Sequence, residues 1–305
     1  MPTLYCRVGG RPQSRRKARE CDAASLALSG ARRQKIAMTA QDLPAWMPLS
    51  VLVWIVQMIA YHGIGLWFEW LDRTGRLTDY KVRAPDRWTY MQVLPRVLFN
   101  QVVVLLPAMV LVQWAGLAFV GPAHIGPVMF LVGLIGMTIG HDVVQYIAHG
   151  VILHRPMLMR PLGHSVHHTT TASRAVSACF MSVWDFLFEI AGPYLLPLIA
   201  VSAVGSGGSD LVFHFFTVTA GAFGGLYEHS GYDFSIKLAK SDNPIARFVG
   251  ARISSKAHAE HHSRGNVSYS DGFGSSNICD TIFKTRWDMV APRERQRQRS
   301  GAQEV

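Results

Sequence analysis

The sequence predicts an all-α integral membrane protein on three observations: little charge, long runs with none, and histidines gathered into three short boxes. Only 16% of the residues are charged and 49% are hydrophobic, with positive mean hydropathy. Soluble domains carry roughly 25% charged residues. A helix needs about 20 mostly apolar residues to cross a bilayer. Residues 49–67 supply a first such segment. Residues 97–140 contain no Lys, Arg, Asp or Glu, and Gly121-Pro122 lies near their middle, so this run reads as a helical hairpin. A second hairpin follows: residues 190–209 are free of charge, close on Gly205-Ser-Gly-Gly-Ser209, and resume as 211–227. The expectation is four to five transmembrane helices, two hairpins among them, under a helical cap.

Charge orients the chain. The hairpin turns, 121–127 and 205–209, hold no Lys or Arg. Residues 73–96 hold Arg73, Arg76, Lys81, Arg83, Arg87 and Arg96, and the chain after Tyr227 is also basic. The positive-inside rule makes these basic segments cytoplasmic. All three histidine boxes fall on the same side of the two hairpins as these segments, which gathers the boxes on the cytoplasmic face of a bacterial inner membrane or of endoplasmic reticulum.

Residues 1–37 break that pattern: nine Lys and Arg against two acidic residues account for seven units of the net charge of +10. From Met38 to residue 47 there is no Lys or Arg and one Asp, so translation is expected to start at Met38, with 1–37 an upstream extension. An organelle transit peptide and a first helix that does not fully cross are the alternatives. With 1–37 set aside, the charge makes no case for a nucleic-acid partner. The membrane domain is set at 38–291. The tail 292–305, with Arg293, Arg295, Arg297 and Arg299, is expected to be disordered and drawn to lipid by its charge. Four cysteines without a CxxC pair give no disulfide framework and no sulfur ligand set.

Eight of the thirteen histidines fall in His149-Gly-Val-Ile-Leu-His154, His164-Ser-Val-His167-His168 and His258-Ala-Glu-His261-His262. In the two HxxHH boxes the i, i+3 and i+4 positions share one face of a helix, and imidazole is the commonest nitrogen donor to transition metals. His149 and His154 are about 140° apart on an ideal helix and cannot share a face of an unbroken one. Arg155-Pro156 follows, so His149 is read as the last turn of the third helix and His154 as just past it. Asp142, two turns before His149, and Tyr146, one turn before it, can each hold an imidazole tautomer. His229 follows Glu228 where a spanning helix emerges, a position that is costly unless functional. His141 is a weaker ligand candidate, and His62, His124 and His214 read as structural. Nine imidazoles exceed the four that a single zinc takes; two metals fit better. Glu260 and Glu228 are the carboxylates that could activate water at a zinc centre, and iron with open positions suits oxygen chemistry. The residues alone do not separate the two metals.

The order HxxxxH, HxxHH, HxxHH between apolar hairpins resembles the fatty acid hydroxylase/sterol desaturase superfamily of membrane non-haem di-iron enzymes, over roughly residues 75–288. C-4 methylsterol monooxygenases look closest, through Tyr80-Lys-Val-Arg83, Leu98-Phe-Asn-Gln101, Asp142 to His149, and His229-Ser-Gly-Tyr-Asp-Phe234. Gly265-Asn266 and Cys279-Asp-Thr-Ile-Phe-Lys-Thr285 extend the likeness. The first box departs from it with four intervening residues instead of three and with Gly150 in place of a basic residue; Lys284 stands where glycine is common. The resemblance implies two irons on His149, His154, His164, His167, His168, His229, His258, His261 and His262, with Asp142, Tyr146 and Glu260 as accessory catalytic candidates. It further implies O2 as co-substrate, a sterol-like or fatty membrane lipid as substrate, and electrons from NAD(P)H through a cytochrome b5-like or ferredoxin-type donor. Desaturation or aldehyde deformylation is a different outcome of the same site. From another class, a metal transporter or metal-binding membrane protein is the alternative; transport favours ligands near the bilayer midplane, whereas these boxes flank the apolar segments.

Overall fold

The computed structural model of the chain describes residues 39–44, 46–270 and 277–291. The expectations for 1–37 and 292–305 fall outside the described residues. The chain divides into a unit ending at Asp42 and a second from Leu43 onward. In the first, the described residues make one turn, Ala40–Asp42, with Asp42 Oδ2 accepting the Thr39 amide at 2.8 Å.

The second unit is helical. Four helices are long and apolar enough to cross a membrane: α1 Leu49–Thr74, α2 Tyr90–Trp114, α3 Pro127–Leu153 and α4 Val183–Ala203. A fifth, α5 Leu211–Glu228, packs on α1, while α3 packs on α4. Local chemistry sets their ends. Gly75 adopts a left-handed conformation (φ 62°) that stops α1. Thr89 donates its amide to Gln92 Oε1 at 2.8 Å to open α2. Pro127 sits in the first turn of α3, and Ser182 Oγ and Asp210 Oδ1 cap α4 and α5. The second hairpin therefore runs as expected, and the first turns over 115–126.

The two hairpin turns meet at one end of the bundle. Ser209 donates its amide to the Pro122 carbonyl (2.9 Å), and Asp210 Oδ2 accepts the Ile125 amide (3.0 Å). Every histidine box lies at the opposite end. There Lys81 is clamped by Asp72 (2.6 Å) and the Ser230 carbonyl (2.7 Å), with its ammonium over the Tyr232 ring. Arg83 donates to the carbonyls of Thr171 and Ala259, tying the segment after the second box to the third box.

One side of α3 faces outward: Val128, Leu131, Ile135, Ile139, Val143 and Ile147 recur at helical spacing and are all exposed, as lipid contact requires. Its opposite side is small. A Cβ on Gly136 would lie 2.5 Å from Val201 Cγ1, and one on Gly140 would lie 2.8 Å from Pro197 Cβ. Glycine there lets the α3 and α4 backbones approach as closely as they do. Three spans contain a widened π-helical stretch: Asn100–Leu105, Tyr146–Leu153 and Leu187–Ala191. The third touches both others, and all three border the histidine end.

Two short helices complete the cap. α6, Pro244–Arg252, starts at Asn243, whose Oδ1 accepts the Ile245 amide at 2.8 Å. α7, Lys256–Arg264, carries the last histidine box and ends at Gly265 (φ 72°). Ile278–Ile282, α8, abuts α3.

Candidate metal centre

The last stretch of α3 builds the first pair of ligands. Its π-type bonding puts the His154 amide on the His149 carbonyl at 3.0 Å, five residues back. The wider turn absorbs the offset that would separate the two rings on an α-helix, and their centroids lie 4.9 Å apart. The second box forms a one-turn helix, His164–His167, with His168 as its cap.

The nine histidines sort into two sets. His149, His154, His164, His168 and His261 form one, and His167, His229, His258 and His262 the other; within each set one nitrogen per ring lies within 4.8 Å of the rest. The HxxHH boxes do not serve one metal each, as a shared helical face would suggest. The first sends i and i+4 to the five-histidine set and i+3 to the other; the second does the reverse. Nine candidate ligands on a few short turns can form two sets because each HxxHH box straddles both.

The tautomers follow from the partners. His149, His261 and His262 donate Nδ1–H to the carbonyls of Tyr269 (2.9 Å), Val267 (2.6 Å) and Thr170 (3.1 Å). His229 donates to Gly225 (2.9 Å) and His167, more weakly, to Phe180 (3.4 Å). A carbonyl can only accept, so each Nε2 presents a lone pair inward. The Nε2 atoms of His154, His164, His168 and His261 approach one another at 2.9–3.2 Å. Adjacent nitrogens ~2.1 Å from one ion lie roughly 3 Å apart. His149 Nε2 and His262 Nε2 are buried with no hydrogen-bond partner among the described residues. Crowded, inward lone pairs of this kind fit a metal and little else.

The imidazoles outside the spans are held neutral, the state that ligates. Burial, reinforced by His164 and His168, pushes His154 down to about 2. Burial and His167 push His229 down to about 3, and burial holds His258, His261 and His262 well below the ordinary histidine range. His164 is the exception. Burial opposes its charged form, but a hydrogen bond to Asp185 and the nearby Glu189 raise it to about 10. That position favours positive charge, which a metal on Nε2 supplies as well as a proton does.

Asp185 and Glu189 were not among the residues singled out from sequence. Both are buried near the start of α4. Asp185 Oδ1 takes the His164 Nδ1 proton at 2.8 Å, and Glu189 reaches 3.4 Å from the same nitrogen. The available signal was an i, i+4 acid pair at the mouth of an apolar run; the charge-free stretch begins one residue after Glu189.

The accessory candidates fall elsewhere. Asp142 accepts the amides of Ile278 and Cys279, each at 2.8 Å, and so caps α8. Tyr146 stacks on Phe283, with its hydroxyl 3.5 Å from Thr285 Oγ1. Glu260 is partly exposed on α7, 3.9 Å from Arg264. His141 lines the cavity described below. His62 bonds to Gln101 Oε1 (2.9 Å), His214 donates to the Gly208 carbonyl (3.0 Å), and His124 is exposed beside the far hairpin turn.

One departure from the family pattern acquires a reason, and another carries backbone strain. A Cβ on Gly150 would lie 2.8 Å from Tyr269 Cγ, so a basic side chain there would expel the residue that orients His149. Lys284 adopts φ 57°, the left-handed region that favours glycine. Asp280 secures this closing segment by accepting the Tyr269 and Ser270 amides (3.0 and 2.8 Å).

A cavity of about 150 Å³ lies between the five helices, bounded by Tyr61, Met109, Met137, Tyr194 and Ala222. Glu189, His229 and His258 close it at the histidine end. Both histidines belong to the four-histidine set.

Apolar spanning helices around a twin histidine cluster define a multi-pass membrane protein with a candidate dinuclear metal centre. Residues 134–285 match the sequence model of the fatty acid hydroxylase family, and the chain belongs to the fatty acid hydroxylase/sterol desaturase superfamily. No curated protein and no solved structure matches the chain. The family is generally one of oxidoreductases and is typically iron-dependent, and the histidine sets supply donors for such metals.

Proposed function

We propose that the protein is a di-iron monooxygenase that hydroxylates a membrane lipid, either a sterol-like molecule or a fatty chain. The observation that carries this is the apolar cavity ending on His229 and His258, which brings a hydrocarbon to the four-histidine set. The balanced reaction is R–H + O2 + 2 e⁻ + 2 H⁺ → R–OH + H2O. Two irons, one in each set, would supply reductive activation of O2. The residues around them do the rest. Tyr61, Met109 and Met137 hold an apolar substrate and exclude water. The carbonyls of Tyr269, Val267 and Thr170 lock His149, His261 and His262 with Nε2 inward, so no reorganisation is needed when metal binds.

Electrons would come from NAD(P)H through a cytochrome b5-like or ferredoxin-type donor, since no nucleotide-binding glycine motif occurs in the sequence. The basic segments favour a centre on the cytoplasmic face. The similarity of the Tyr80–Arg83 and His229–Phe234 segments to C-4 methylsterol monooxygenases favours a ring-bound methyl group as the oxidised carbon. Desaturation or deformylation would appear as an alkene or as loss of a one-carbon unit instead of an alcohol.

The test is incubation of membranes holding the protein with isotopically labelled O2, reductant and a sterol-containing lipid pool, read by mass spectrometry. Label entering a lipid alcohol is the expected result. Turnover without oxygen, or label arriving from water, overturns the reading and leaves a hydrolytic or transport role.

A further inference from the structure

Glu189 sits between the two histidine sets. Its Oε1 lies 3.8 Å from His149 Nε2 of the five-histidine set and 3.8 Å from His167 Nε2 of the four-histidine set. Its Oε2 is buried with no hydrogen bond among the described residues, 3.4 Å from His164 Nδ1. The nearby imidazole N–H donors are already directed elsewhere. His164 gives its Nδ1 proton to Asp185, His149 gives its own to Tyr269, and His167 gives its own to Phe180. Glu189 therefore faces two lone pairs, an arrangement of acceptors that repels unless cations lie among them. The ion pairs of Asp185 and Glu189 among the described residues all go to imidazoles. Leaving a carboxylate buried without a cation is strongly unfavourable.

We infer that Glu189 is a ligand shared by the two metals. Two donors that each sit ~2.1 Å from one ion are at most ~4.2 Å apart, so Oε1 is within reach of an ion shared with His149 and of an ion shared with His167. The donor count then distinguishes the two positions. Five imidazoles and Glu189 complete six donors at the first; four imidazoles and Glu189 leave a place open at the second. The second is the one whose His229 and His258 line the cavity. Glu189 thus closes one metal, links it to its neighbour and leaves the lipid-facing metal free to take an exogenous ligand. No motif in the sequence announces this residue.

The inference rests on the metal reading above, and its test separates the two. The full chain, purified in detergent with iron and oxidised, is measured for iron per chain and by EPR and Mössbauer spectroscopy, beside Glu189→Gln and Glu189→Asp. Wild type is expected to hold two irons coupled into an EPR-silent pair. Glu189→Gln should keep both irons on the nine imidazoles but show an EPR-visible ferric signal from uncoupled ions. Glu189→Asp, with its carboxylate withdrawn by one methylene, should keep both irons with weakened coupling. Unchanged coupling in either variant overturns the shared ligand, as do two uncoupled irons in wild type, a measurement that stands even if neither variant folds. A wild type that binds fewer than two irons overturns the underlying metal reading instead.

Discussion

The amide of His154 is hydrogen-bonded to the carbonyl of His149 at 3.0 Å, and this one π-type bond puts the first histidine box into the metal centre. On a regular α-helix the two rings would diverge by about 140°. The extra residue in the hydrogen-bonded loop brings them to 4.9 Å, both within the five-histidine set. A family pattern with three intervening residues has four here, and the π stretch accommodates the added one.

Gly150 should be intolerant of any side chain. Gly150→Ala places a methyl group against Tyr269, whose carbonyl orients His149. Iron content should fall, with activity down by about 10–100-fold, the usual effect of losing a ligand's hydrogen-bond partner. Adding Tyr269→Gly removes both the Cγ at 2.8 Å and the Cβ at 2.9 Å while keeping the backbone carbonyl, so the double variant should recover iron relative to Gly150→Ala alone. Failure to recover would mean that the methyl group acts through something other than Tyr269.

Asp142 distinguishes two roles by two readouts. As the acceptor for the Ile278 and Cys279 amides, its change to Ala should lower stability by about 1–3 kcal/mol. A thermal melt of the detergent-solubilised protein measures this. Iron bound per folded chain should stay near wild type in Asp142→Asn. Loss of iron without loss of stability would instead support the tautomer-holding role that its spacing from His149 suggests.

Lys284→Gly should stabilise the protein by roughly 1–2 kcal/mol, because the left-handed backbone (φ 57°) carries a penalty for any residue with a Cβ. The melting temperature should rise with turnover unchanged. An unchanged or lower melting temperature would show that the Lys284 side chain contributes more than its backbone strain removes.

His258→Ala and His261→Ala, one from each ligand set, should each abolish turnover and lower iron content while the protein still reaches the membrane. His124→Ala, exposed at the far end, should leave both unchanged. Equal damage from His124→Ala would defeat the assignment of function to the histidine end.

Much of this architecture was legible because a membrane forbids ambiguity. Charge-free runs longer than a span, punctuated by Gly121-Pro122 and Gly205–Ser209, leave hairpins as the simplest solution, and those hairpins form. Eight of the nine histidines were legible because tight spacing is rare by chance and their chemistry narrow, and His229 because it follows Glu228 where a helix emerges. Their division between two sets was not. It depends on π-helical turns and on carbonyls supplied by Thr170, Val267 and Tyr269, which backbone geometry sets and side-chain identity does not encode. Asp185 and Glu189 escaped for a simpler reason: two acids at the start of an apolar run look like solvated helix-end charges until the facing helix is in place.

The way the two HxxHH boxes are split has a consequence for how the protein is put together. Each box contributes to both histidine sets, so a metal in either set would be only partly ligated while the segment 164–168 and α7 remain apart. Loading should then behave as a single event: at sub-stoichiometric iron the population would divide into empty and full molecules, with few half-filled ones. The cap would set last, and iron supply would decide how many newly inserted chains ever mature.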